Sequence, residues 1–123
     1  MCVEVGGHVR ATGVAPGRSG WAVPVGNPLT SAPVTSLRLR DGAVGTSARM
    51  APTSGTDTGT APALVAVTVV AAAAWHANAL ARAALRGGYR TGRALVQAAD
   101  AAALFCFTDG DVRPTDGWHQ FLA

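Results

Sequence analysis

Alternation of apolar and polar positions is clearest at Val34-Thr35-Ser36-Leu37-Arg38-Leu39-Arg40. Leu37 and Leu39 fall on one side there, and Arg38 and Arg40 on the other. A period of two predicts a half-buried strand. Asp41-Gly42 follows, and Ala43-Val44-Gly45 resumes the apolar run. Asp-Gly between two such runs predicts a tight hairpin. Shorter alternations at Cys2–Val5 and Trp21–Val25 predict two more strands. Gly6-Gly7 separates the first of these from His8-Val9-Arg10. Paired glycines permit either a plain turn or a close approach of backbone to a ligand.

The second half changes character. Leu64-Val65-Ala66-Val67-Thr68-Val69-Val70 is short and β-branched, which predicts a central strand. Ala72 to Arg86 is rich in alanine, the best helix former, with Trp75, Leu80 and Ala84 placed to share an apolar face. Gly87-Gly88 ends that helix. Thr91 is placed to cap a second helix over 92–100. Leu104-Phe105-Cys106-Phe107 predicts another buried strand, turned by Asp109-Gly110 into Asp111-Val112-Arg113. The aromatic tail from Gly117 to Leu122 then closes the core. Residues 48–62 hold Pro, Ser, Gly and Thr with almost no large apolar side chains, and are expected to form a flexible loop. The order is strands, a hairpin, then strand–helix–helix–strand–turn, without internal repeats. It predicts an α+β fold, mainly antiparallel with two helices, rather than a doubly wound parallel sheet.

Composition narrows the function classes. The chain has 123 residues, 49% apolar and 14% charged. That suffices for one domain with a modest core and is too apolar for a disordered chain. All ten basic residues are Arg, and the net charge is only +3. The arginines are scattered and no aromatic residues interleave with them, so no nucleic-acid partner is expected. The apolar stretch from Ala63 to Trp75 is too short for a bilayer, which needs about 20 residues, so no membrane span is expected. Cys2 directly follows Met1 and no hydrophobic signal region precedes it, which predicts a cytoplasmic protein. Cys106 lies in an apolar run and reads as a buried free thiol.

Candidate chemistry is sparse. Asp109, Asp111 and Asp116 lack the spacing of a calcium loop, and ordinary turn chemistry accounts for them. His8, His76 and His119 have no acid or cysteine partner nearby in sequence. Thr46-Ser47 and Thr58-Gly59 offer hydroxyls and backbone amides that can hold a phosphate. A solvated loop reads equally well at both.

Taken together, the pieces resemble a known family. The order is Val5-Gly6-Gly7-His8-Val9-Arg10-Ala11-Thr12-Gly13, then Trp21-Ala22-Val23-Pro24-Val25 with Asn27-Pro28. Leu37 to Ser47 follows, then Val67-Thr68-Val69-Val70-Ala71, an alanine-rich helix, and Ala103 to Gly110. This is similar to the C-terminal half of the ApbE family, the bacterial FAD:protein FMN transferases. The resemblance implies that residues 1–123 are a single partial domain of that kind. It implies FAD as substrate, magnesium as the ion polarising its phosphates, and a target flavoprotein whose Thr or Ser receives FMN. It places cofactor binding at Gly6, Gly7, His8, Thr46, Ser47, Thr58 and Gly59, and the metal-ligand positions at Asn78 and Arg82.

The sequence departs from the family pattern at several of these positions. His8 stands where the family has Asp after its glycines. The segment 57–62 is shortened and has lost a histidine. Asn78 and Arg82 replace an Asp and a Thr spaced four apart on one helix face. An amide and a guanidinium there predict weak or absent magnesium binding and impaired transfer. The family's N-terminal half supplies much of the FAD pocket and is not in this chain. A separate N-terminal half or self-association would then complete the fold. The alternative is a non-catalytic protein that binds flavin nucleotides or associates with itself.

Overall fold

The β-branched run after Ala63 lies at the heart of the molecule. In the computed structural model, which describes residues 1–5, 8–13, 20–26, 33–49 and 63–122, it forms a strand buried along almost its whole length. The elements in chain order are β1 (Cys2–Val5), β2 (His8–Ala11), β3 (Trp21–Gly26), β4 (Pro33–Leu39), β5 (Gly42–Ala48) and β6 (Leu64–Ala71). They continue with α1 (Ala74–Ala98), β7 (Ala102–Phe107), β8 (Val112–Pro114) and a 3-10 helix at Asp116–Phe121. Six strands form one sheet in the order β1-β2-β5-β6-β7-β8, and β3 and β4 form a second. Every neighbouring pair is antiparallel. The fold is α+β, as the element order implies.

Two apolar cores flank the large sheet. On one face Val9, Val44 and Leu104 pack against Val23, Val25, Leu37 and Leu39 of the small sheet, with Trp118 sealing the end. On the other face Val67, Val69 and Phe105 pack against Ala81, Ala84, Leu85 and Val96 of α1. The large sheet is therefore covered on both sides, so β6 and β7 are buried almost throughout and apolar except for Thr68, rather than alternating. No helix among the described residues is long and apolar enough to cross a membrane.

Several local expectations need correction. Asp41-Gly42 does not close a hairpin, because β4 pairs with β3 while β5 pairs with β2 and β6. Both edges of β5 are taken, so the chain crosses from the small sheet to the large one at this point. Asp41 ties the crossing down, its Oδ1 accepting the Gly13 N–H at 3.0 Å. Ala48, expected in the loop, is the last residue of β5, and Arg49 N–H still donates to the Val65 carbonyl at 2.8 Å. Residues 50–62, the rest of that loop, lie outside the described residues.

The helix begins at Ala74 rather than Ala72. Its buried face is Ala77, Ala81, Ala84 and Leu85, whereas Trp75 is 75% exposed and stacks on His76. Gly88 breaks the helix with φ 85° and ψ 175°, which gives the two expected helical segments. Thr91 lies inside the second segment rather than at its cap, because the break itself starts that segment. The two segments cross at Gly92, where an added Cβ would stand 2.9 Å from Ala84.

Candidate functional site

The site positions are distributed over β2, β5 and the first half of α1. Successive side chains on a strand point to opposite faces. On β5, Val44 and Thr46 therefore face the small sheet, and Gly45 and Ser47 face the helix. Thr46 lines a cavity of about 330 Å³ between the sheets with Val23, Val25 and Thr68, and its Oγ1 lies 3.1 Å from Thr68 Oγ1. Ser47 instead joins Arg82 and Arg86 in an open groove of about 830 Å³ on the helix side. The structure thus separates Thr46 from Ser47, and the two do not form one phosphate-holding pair.

Gly45 governs how α1 sits on this strand. A Cβ on it would meet Asn78 N at 2.7 Å and the Ala77 carbonyl carbon at 2.8 Å. Only glycine permits that approach, which seats the Asn78 backbone directly on β5. Asn78 is half-buried and Arg82, one turn on, is exposed beside Ser47. The helical spacing expected of Asn78 and Arg82 is thus realised. His8 precedes Val9 on β2, and strand alternation turns it to the face opposite Val9, the helix side of the sheet. Its Nδ1 is buried and has no hydrogen-bond partner among the described residues. Gly6, Gly7, Thr58 and Gly59 lie outside the described residues.

Arg86 was not singled out from the sequence, although its spacing of four from Arg82 on an exposed helix face was the available signal. Arg49 reaches the same region from the end of β5, its Nη2 donating to the Leu85 carbonyl at 3.2 Å. The carboxylates at the other end of the chain do turn chemistry. Asp111 N–H donates to Asp109 Oδ1 at 2.9 Å, and Arg113 Nε donates to Asp111 Oδ2 at 3.0 Å. Among the described residues no group of three His, Cys, Asp or Glu side chains is placed to hold a metal ion.

The ApbE family model matches residues 1–105. The chain belongs to the ApbE family. Solved structures agree on the fold. The ApbE protein of Thermotoga maritima is 25% identical, with a TM-score of 0.82 over 100% of this chain and 45% of that one. The flavin transferase ApbE of Vibrio cholerae is 23% identical, with a TM-score of 0.77 over 98% of this chain and 44% of its own. The flavinyl transferase ApbE of Pseudomonas stutzeri, in its apo form, is 23% identical, with a TM-score of 0.76 over 98% of this chain and 42% of its own. This ApbE chain therefore spans less than half the length of the structures it matches. No curated protein sequence matches it.

The magnesium ion implied by the family does not fit these residues. Asn78 offers a neutral amide oxygen. Arg82 has no oxygen donor and brings a positive charge, and no Asp or Glu of the described residues lines the groove. A hard divalent cation takes carboxylate, carbonyl and water oxygens. A unit charge repels a divalent ion by about 2 kcal/mol at about 4 Å even in water, and more in less polar surroundings.

Proposed function

We propose that this chain is a flavin-transferase-like protein. In this reading residues 1–123 act as one unit and supply part of a site for FAD. The reaction is the transfer of FMN from FAD to a Thr or Ser of a target flavoprotein, with release of AMP, and this chain is impaired in it. Membership of the ApbE family over residues 1–105 carries the flavin part of the reading. Two of the similar structures are a flavin transferase and a flavinyl transferase, which points the same way. The impairment rests on Asn78 and Arg82. The family's catalysis is chiefly positioning and neutralisation of phosphate charge. At these two positions the chain offers an amide and a fixed cation in place of a metal-binding pair.

The test is direct. The chain is incubated with FAD, magnesium and an acceptor peptide, and the peptide is weighed for an added FMN. No product is expected from this chain alone, while FAD fluorescence is expected to change on titration with protein. A flavinylated peptide would refute the impairment, and unchanged FAD fluorescence at high micromolar protein would refute the flavin site.

A second reading is self-association. β1 is an edge strand, its outer side unpaired among the described residues, with Val3 48% and Val5 71% exposed. An apolar open edge is a template for pairing with a second chain. Sedimentation as a clean monomer at high concentration would remove this reading.

A further inference from the structure

The groove that fails as a magnesium site has the chemistry of the opposite sign. We propose that Arg82, Arg86 and Ser47 form a metal-independent anion site that takes a pyrophosphate group of a nucleotide-type ligand. Three observations carry this. First, Arg82 and Arg86 are four apart on one exposed helix face and line the same groove. Like charges at that spacing destabilise a helix unless something neutralises them. Neither makes an ion pair among the described residues, whereas Arg93 and Arg113 pair with Asp116 and Asp111.

Second, the described residues around the groove offer no competing anion. The chain has seven carboxylates. Asp57 lies outside the described residues, and none of the other six lines the groove. Arg49 does not line the groove, but its guanidinium is held nearby on the carbonyl of Leu85, which does. Third, the donors suit phosphate oxygens. Guanidinium presents a planar fork of N–H donors that matches phosphate geometry, and Ser47 adds a hydroxyl. The groove volume of about 830 Å³ is large enough for a diphosphate with groups attached. The site rests on the flavin-nucleotide reading only in choosing a diphosphate over other anions.

The experiment is calorimetric titration of the full chain with inorganic pyrophosphate in EDTA, with FAD as a parallel arm. Pyrophosphate is expected to bind without metal and to weaken as salt is raised. Arg82→Gln and Arg86→Gln are each expected to weaken it about tenfold, the scale of one charge-assisted hydrogen bond. Both side chains are exposed, so circular dichroism should be unchanged. Arg40→Gln, exposed just past the end of β4 and not a lining residue of the groove, should bind as the parent does. Absence of binding, binding only after magnesium is added, or unchanged affinity in Arg82→Gln would each overturn the proposal. Pyrophosphate binding without FAD binding would keep the site and remove the flavin reading. FAD binding that is indifferent to both substitutions would remove the site and keep the flavin reading.

Discussion

Gly45→Ala tests how the helix is seated. The added Cβ would stand 2.7 Å from Asn78 N, 2.8 Å from the Ala77 carbonyl carbon and 2.9 Å from Asn78 Cα. All three are backbone atoms, so no side chain can swing aside, and α1 must lift from β5 or the strand must bend. Overpacking of this kind costs about 3 kcal/mol at the upper end of its usual range. Replacing a strand glycine with alanine returns roughly 0.5–1 kcal/mol through the unfolded chain. The net loss is then about 2 kcal/mol, or a fall of about 8 °C in Tm for a domain of this size. Thermal and urea denaturation followed by circular dichroism measure it. The urea midpoint should fall while the slope holds, because the exposed surface on unfolding is unchanged. Gly42→Ala is the internal control, since its Cβ would meet only the Ala71 carbonyl oxygen, at 3.4 Å. A Gly45→Ala protein as stable as its parent would refute this account, as would a Gly42→Ala protein equally damaged. Because a lifted helix carries Arg82 away from Ser47, pyrophosphate affinity should fall in Gly45→Ala as well.

Two further outcomes follow from the same structure. Gly88 holds φ 85° and ψ 175°, a region almost closed to other residues, and nothing crowds its missing side chain. Gly88→Ala should therefore cost about 1–3 kcal/mol by backbone strain alone, read as a lower urea midpoint, and an unchanged midpoint would contradict it. Burial pushes the Cys106 thiol above its ordinary value of 9.0. The unfolded chain thus releases this proton first as pH rises, so the stability is intact below 9.0 and declines above it. Urea unfolding at about pH 8 and about pH 10 should show that decline, and Cys106→Ala should lessen it. A slope identical in the two proteins would exclude Cys106 as its source.

Some of this architecture was legible in the sequence because local chemistry and tertiary demand agree. Leu64 to Val70 is β-branched and lies buried between two layers. Gly87-Gly88 marks the helix break because glycine alone tolerates the required backbone angles. Leu37 and Leu39 alternate with arginines and are 0% and 2% exposed. Where the reading failed, distant partners decided. Asp41-Gly42 has the local signature of a hairpin, yet β5 already has β2 and β6 on its two edges. The sequence predicts that Trp75 shares an apolar helix face with Leu80 and Ala84, yet it is 75% exposed. The close approach to Gly45 leaves no room for a large side chain where the helix crosses the strand at Ala77, and the inner face continues with Ala81, Ala84 and Leu85. The pairing of Asn78 with Arg82 on one helix face needed only helical periodicity. The company of Ser47 and Arg86 needed the seating of the helix on the sheet.

The helix therefore answers to two separate constraints. Its inner face is set by backbone contact with β5 and by alanines that leave no room, so even small changes there disturb the packing. Its outer face, with Trp75, Arg82 and Arg86, is exposed and borders the groove or solvent, so residue type there can change without moving the fold. That division is consistent with a chain only 23–25% identical to solved ApbE structures keeping TM-scores of 0.76–0.82 while an amide and a guanidinium stand at Asn78 and Arg82. Agreement in fold thus speaks to the inner face, and chemistry must be argued from the outer one. At a groove bordered by Arg82 and Arg86, the sign of the local charge selects an anion over a divalent cation.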